Sequence, residues 1–133
     1  MEDVIAIDPG NHKCGLAIVN NEKVLLKDII ETNLLKEKVK NILEKHEARK
    51  IILGDGTFSK KIKLEISDLI EDYNIELIII DEKFSTEDAR KLYFKENKPK
   101  GLWSFIPLSF QAPSEPIDDY AAIVLAKRYF KKD

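Results

Sequence analysis

The feature that most constrains this chain is the block from Val4 to Val19. Four apolar residues, Val4-Ile5-Ala6-Ile7, run directly into Asp8-Pro9-Gly10, and a second apolar run, Gly15-Leu16-Ala17-Ile18-Val19, follows closely. Four apolar residues in a row suit a central strand covered on both faces. Asp8 then stands where that strand leaves the core. An ionised carboxylate buried without a partner is strongly unfavourable, so Asp8 must meet a cleft, a donor or a cation. Pro9 and Gly10 turn the chain sharply. The plainer account of the same residues is a strand-end Asp in an Asx-type turn. Gly10 and Gly15 are also placed to let the backbone approach a phosphate.

The pattern recurs down the chain. Asn20-Asn21-Glu22-Lys23 is a turn, and Val24–Leu26 with Ile29-Ile30 reads as a third strand, antiparallel to its neighbour because short connections force that arrangement. Leu35, Val39, Ile42, Leu43 and His46 share one face of a first helix, which Thr32 or Asn33 can cap. Lys50–Leu53 is a strand that runs into Gly54-Asp55-Gly56-Thr57. Ser59 caps a second helix, with Ile62, Ile66, Leu69, Ile70 and Tyr73 inward. Glu76–Ile80 reads as a buried strand that ends on Asp81-Glu82. Ser85 caps a third helix, with Asp88 three residues on. Residues 97–117 are irregular and apolar, and Ile117-Asp118-Asp119 opens a last helix with a basic end at Lys127, Arg128, Lys131 and Lys132.

Strand–helix–strand units give parallel neighbours with right-handed crossovers. The expected fold is α/β: a five-stranded mixed sheet in the order 3-2-1-4-5 with helices on both faces. At 133 residues the expectation is one domain, residues 1–133, with core enough to need no disulfide. Cys14 is the only cysteine, which excludes an internal bridge and suits a reducing compartment. The acidic start Met1-Glu2-Asp3 is unlike a signal peptide. No apolar run approaches the roughly 20 residues that span a bilayer, so a cytoplasmic protein with no membrane partner is expected.

Three parallel strands end on acids, at Asp8, Asp55 and Asp81-Glu82, and their ends share one edge of the sheet. Asp118 and Asp119 begin a helix that can pack across that edge. Ligands bind at the carboxyl ends of parallel strands in such sheets. Carboxylates gathered there repel one another unless they hold a cation or a proton. With oxygen ligands alone the expected ion is Mg²⁺ or Mn²⁺. Two such ions about 4 Å apart can activate water for phosphodiester hydrolysis.

Three segments resemble the YqgF (RuvX) group of RNase H-like proteins, relatives of the RuvC Holliday junction resolvases. They are Ile7-Asp8-Pro9-Gly10 through Ala17, Asp81-Glu82-Lys83-Phe84-Ser85-Thr86-Glu87-Asp88-Ala89, and Ile117-Asp118-Asp119-Tyr120-Ala121-Ala122 through Phe130. The resemblance implies an RNase H-like domain and a divalent-metal nuclease that acts on structured RNA, such as the precursor of small-subunit ribosomal RNA, or on branched DNA. It implies Asp8, Glu82 and Asp118 as metal-binding catalytic carboxylates, with Asp55 or Asp119 assisting. The chain departs from the pattern in Lys83, where the family has Arg, and in Gly54-Asp55-Gly56-Thr57, which is more like the corresponding domain of the Tex proteins. Pro113-Ser114-Glu115-Pro116 stands where the family often has basic residues.

The net charge of −2 means that a nucleic-acid surface must be a local patch. Lys60, Lys61, Lys63, Arg90, Lys91, Lys95 and Lys98 are the candidates, against the alternative of solvated helix faces. The aromatic stretch 102–110 is expected to cover core or to make a contact in a homodimer, rather than to stack on bases. A non-catalytic RNase H-like module that binds nucleic acid or a protein is the competing function. An actin-like ATPase would need two lobes.

Overall fold

Side chains along the first strand alternate between two apolar layers. The computed structural model describes residues 2–131. In it β1 (Val4–Asp8) gives Val4 and Ala6 to one layer and Ile5 and Ile7 to the other. β2 (Lys13–Val19) divides likewise, with Ala17 and Val19 on the first side and Cys14, Leu16 and Ile18 on the second. With β3 (Val24–Glu31), β4 (Lys50–Gly54) and β5 (Glu76–Ile80) they make a five-stranded sheet in the order β3-β2-β1-β4-β5. The β1–β2 and β2–β3 pairs are antiparallel, and β1–β4 and β4–β5 are parallel. This is the strand order that the crossover argument predicts.

Among the described residues, five helices cover the two faces. α1 (Leu35–Lys45), α2 (Ser59–Glu65) and α3 (Ser67–Asp72) pack against Ile5 and Ile7. α4 (Ser85–Glu96) and α5 (Asp118–Lys131) pack against Val4 and Ala6. On this second face the layer includes several small residues, Ala6 and Ala17 below and Ala121, Ala122 and Ala126 above, among larger ones such as Tyr93, Ile123 and Leu125. Small residues let α5 lie close to the sheet. The approach is closest at Gly15, where a Cβ would overlap the backbone carbonyl of Asp118. Gly15 pairs with Asp8 across the β1–β2 ladder, so this contact delivers the start of α5 to the end of β1.

Several local expectations are corrected. The stretch Ser59–Tyr73 is two helices bent at Ile66 (φ −101°, ψ 7°). Ser67 Oγ donates to the Leu64 carbonyl at 2.8 Å, a local bond that competes with the helical ladder and bends helices. Ser59 and Ser85 lie inside their helices, and Phe58 and Phe84 hold the cap positions without a side-chain cap bond. Thr32 caps nothing: it is buried and its hydroxyl donates to the Gly10 carbonyl at 2.9 Å. Gly10 abuts the Lys13 carbonyl, so Gly10 serves the turn and Gly15 the helix contact. β5 is an edge strand, not a buried one, because no strand lies beyond it in the order; Ile79 is 47% exposed. Met1 and Lys132 lie outside the described residues. Among the described residues no helix is long and apolar enough to cross a membrane.

The close contact at Gly15 sets a test. Gly15→Ala should destabilise the protein by about 1–3 kcal/mol, because the obstructing atom is backbone and must move as a unit. Urea unfolding of the variant at an unchanged midpoint would show that α5 does not rest on β2 there.

Candidate active site

Asp8 closes β1, and the parallel register sets β4 and then β5 beside it, so that Gly54 pairs with Ile80 at the same edge. The turn after β5 carries Glu82 back over the end of β4. Two glycines make this possible: a Cβ at Gly54 or at Gly56 would run into the Glu82 carboxylate. Asp55 closes the turn. Its amide donates to the Ile80 carbonyl at 3.0 Å, and its Oδ1 accepts from the Glu82 amide at 3.0 Å. The next turn bends through Phe84, which has a left-handed backbone (φ 63°), and the Ser85 amide donates to the Glu82 carbonyl at 2.8 Å.

Asp8 and Glu82 meet carboxyl to carboxyl and share a hydrogen bond. Burial is the largest influence on Asp8, followed by the charge of Glu82, that hydrogen bond and the charge of Asp118. Together they push Asp8 up to about 8. Glu82 is also raised, first by burial and then by the nearby charges of Asp55 and Asp81, while Asp8 and the Gly56 amide act the other way. Asp118 is half-buried and raised by burial and by Asp119, against the opposing pull of Lys13. In the metal-free protein the Asp8–Glu82 pair therefore keeps a proton that two ordinary carboxyls would lose. Glu82 Oε1 is buried with no fixed donor.

Among the described residues no three His, Cys, Asp or Glu side chains are gathered tightly enough to form a ready-made metal site. Asp8 and Glu82 are in contact, and Asp118 stands near them. The donor set nevertheless fits a hard divalent cation: all the groups are oxygens, all three carboxyls are pushed towards protonation, and one buried oxygen lacks a partner. The other two acids are occupied differently. Asp119 is buried, takes the Lys27 ammonium at 3.3 Å and accepts from the Tyr120 amide. Asp55 serves the turn beneath Glu82.

The basic candidates divide between two faces. Lys60, Lys61 and Lys63 are on α2, and Lys61 lines a groove of about 420 Å³ with Lys13 and His12 but also with the acids Glu31 and Glu65. Arg90, Lys91 and Lys95 are on α4 across the sheet, with Lys98 just beyond it. The structure does not bring the two groups together.

Three basic residues matter that no sequence pattern marked for these tasks. Lys13 borders the groove and pulls on Asp118. Lys27 pairs with Asp119, 92 residues away. Arg128, expected only to complement the helix dipole, donates to the Asp81 carbonyl at 2.8 Å and to Asp88 Oδ2 at 2.9 Å. It thereby ties α5 to the turn that carries Glu82.

Residues 2–132 match the family described as RuvX, Holliday junction resolvase. The chain belongs to this family. It is 25% identical, over 95% of its length and 94% of the relative's, to a protein of Caldicellulosiruptor saccharolyticus named "Putative pre-16S rRNA nuclease". Its fold is similar to that of Thermus thermophilus RuvC, with a TM-score of 0.64 at 12% identity over 98% of this chain and 96% of that one. The same RuvC in complex with a Holliday junction substrate superposes with a TM-score of 0.61 at 12% identity, over 99% and 96% of the two chains. The RuvX chain thus has the RuvC-type RNase H-like fold that its segments imply.

The raised Asp8 sets a pH dependence. Below the unfolded-state value of 3.8 the carboxyl is neutral in both states, and its favourable folded environment is fully expressed. Between 3.8 and about 8 the unfolded state releases the proton and the folded state keeps it, so stability is lost as pH rises through that window. In chelator-treated protein, Asp8→Asn should remove this loss and melt about 3–8 °C above the parent at pH 8, with the difference shrinking towards pH 4. A variant that melts well below the parent at pH 8 would make Asp8 a structural turn residue.

Proposed function

We propose that this RuvX protein is a divalent-metal-dependent endonuclease that hydrolyses phosphodiester bonds in structured RNA or branched DNA. The observation that carries the reading is the buried Asp8–Glu82 carboxyl pair at the carboxyl ends of parallel strands, with Asp118 beside it and an unpartnered Glu82 oxygen. Asp8, Glu82 and Asp118 would hold Mg²⁺ or Mn²⁺, which when bound supplies Lewis-acid stabilisation of a phosphoryl oxygen and a more acidic water. Asp8 and Glu82 would give up their shared proton to take that charge. Asp55 holds the Glu82 backbone, and Asp119 anchors the start of α5 through Lys27. Lys61 with Lys13 on one side, and Arg90, Lys91 and Lys95 on the other, would meet phosphates, with Lys60, Lys63 and Lys98 at the margins.

The family and the C. saccharolyticus relative support the nuclease class, and the junction bound to RuvC supports a nucleic-acid substrate. The same reading takes residues 1–133 as one such domain working in the cytoplasm.

Two measurements test it. Mn²⁺ at ~100 times its Kd should raise Tm by about 5–10 °C, because an ion that binds only the folded state stabilises by its affinity for that state. Asp8→Asn and Glu82→Gln should lose that rise. Asp119→Asn should keep it while lowering the metal-free Tm, because its carboxylate is committed to Lys27. Mn²⁺-dependent cleavage of a four-way DNA junction or of a structured precursor RNA should fall to background in Asp8→Asn. A parent that shows neither a metal-dependent Tm nor cleavage would turn the assignment to a non-catalytic binding module.

A further inference from the structure

The connection from α4 to α5 leads from the helix that follows Glu82 to the helix that begins at Asp118. Its apolar sequence predicts either core cover or a contact in a homodimer, and it does not cover core. Leu102, Phe105 and Phe110 are 83%, 86% and 79% exposed, and Trp103 is 58% exposed. Large apolar side chains displayed in one run are uncommon on a surface without a partner.

The segment is nevertheless built. It forms two tight turns, Gly101–Phe105 and Leu108–Phe110. The buried Gln111 amide donates to the carbonyls of Trp103 at 2.9 Å and Ile106 at 2.8 Å. Arg90 of α4 donates to the Leu108 carbonyl at 2.8 Å. The backbone is held from within, while the rings face outward.

Charge decides what can cover them. No charged residue lies between Gly101 and Ser114. Beside the segment, Arg90, Lys91 and Lys95 follow one another along α4, with Lys98 and Lys100 beyond, against Glu87 and Glu96; Asp88 is already paired with Arg128. A two-fold dimer through this face would lay each basic ridge near its own copy, which opposes association. A chain of phosphates with uncovered bases satisfies both parts, because phosphates complement the lysines and every base offers a face for stacking. Bases inside a duplex cannot reach the rings.

Resting on the nuclease reading, we propose that residues 101–110 and the basic side of α4 form a binding surface for unpaired nucleotides of the substrate. This defines the substrate as structured nucleic acid with a single-stranded flank, loop or opened junction arm. Trp103, Phe105 and Phe110 stack on successive bases, and Arg90, Lys91 and Lys95 track the backbone.

Trp103 is the only tryptophan, so its fluorescence reports the contact directly. The full chain, chelator-treated, is titrated with oligothymidylate or oligouridylate of about 20 nucleotides. Both should quench Trp103, with an affinity that falls steeply with salt. Inorganic polyphosphate, which offers the charge without bases, should not quench it. The double variant Phe105→Ala/Phe110→Ala removes exposed rings only, and it should bind either oligonucleotide about tenfold or more weakly. Lys91→Ala/Lys95→Ala should lower the salt slope by about 1–2.

An unmoved Trp103, equal quenching by polyphosphate, or unchanged binding by Phe105→Ala/Phe110→Ala would overturn the assignment. So would a fluorescence change driven by protein concentration alone, with a dimer in sedimentation that the ring variants abolish; that result would assign the face to a second copy. Cleavage of junctions with no response at Trp103 would remove this surface and leave the nuclease intact. Quenching as expected without metal-dependent cleavage would do the reverse.

Discussion

The close seating of α5 on β1 and β2 is the constraint on which the site depends. Alanines on both surfaces and Gly15 at the tightest point remove the side-chain thickness that normally separates a helix from a sheet. Asp118 is thereby brought to the edge where β1 releases Asp8. Farther along the same helix Arg128 grips the Asp81 carbonyl and the Asp88 carboxylate, so α5 also steadies the turn that presents Glu82. One helix thus controls two of the three carboxylates, and β1 carries the third.

The carboxylates themselves work against the fold. Asp8 and Glu82 are buried together; burial raises the cost of ionising both, and the charge of Glu82 raises that of Asp8 further. The layers of Ile, Leu and Val on either side of β1 offset that cost, and they lie directly beneath it. The glycines at 54 and 56 belong to the same arrangement: without room above β4, the Glu82 side chain could not lie against Asp8.

The positive charge is distributed with equal economy. Lys27 and Arg128 are engaged with acids and shape the site. Lys13 and Lys61 line a groove on the α2 side, and the α4 ridge lies on the other. The protein carries a net negative charge, and in the α2-side groove Glu31 and Glu65 stand beside the two lysines. A long-range basic field is absent from such a chain, and local contacts must set affinity.

Much of this was legible in the residues. Runs such as Val4–Ile7 and Ile51–Leu53 mark central strands by hydrophobicity alone, and short or helical connections dictate antiparallel or parallel neighbours, so the strand order follows from local information and chain reversal. That Asp8, Glu82 and Asp118 share an edge follows from the same rules. Other features depended on contacts between residues far apart in the chain. Sequence spacing does not show that Asp119 turns to Lys27 while Asp118 does not, since the two acids are adjacent and chemically alike; packing against β3 separates them. The edge position of β5 exposes Ile79 despite an apolar run as continuous as that of β1, because burial depends on what lies beyond the strand. The apolar character of residues 102–110 suggested burial, yet Gln111 and Arg90 hold the backbone with the rings outward. Which segments become strands and helices, and which edge collects the acids, follows from local periodicity and connection length and so can be read from the residues. Which charges are paired, which carboxyls are pushed towards protonation and which apolar groups face solvent depend on distances that folding alone creates, and these emerge only from the folded chain.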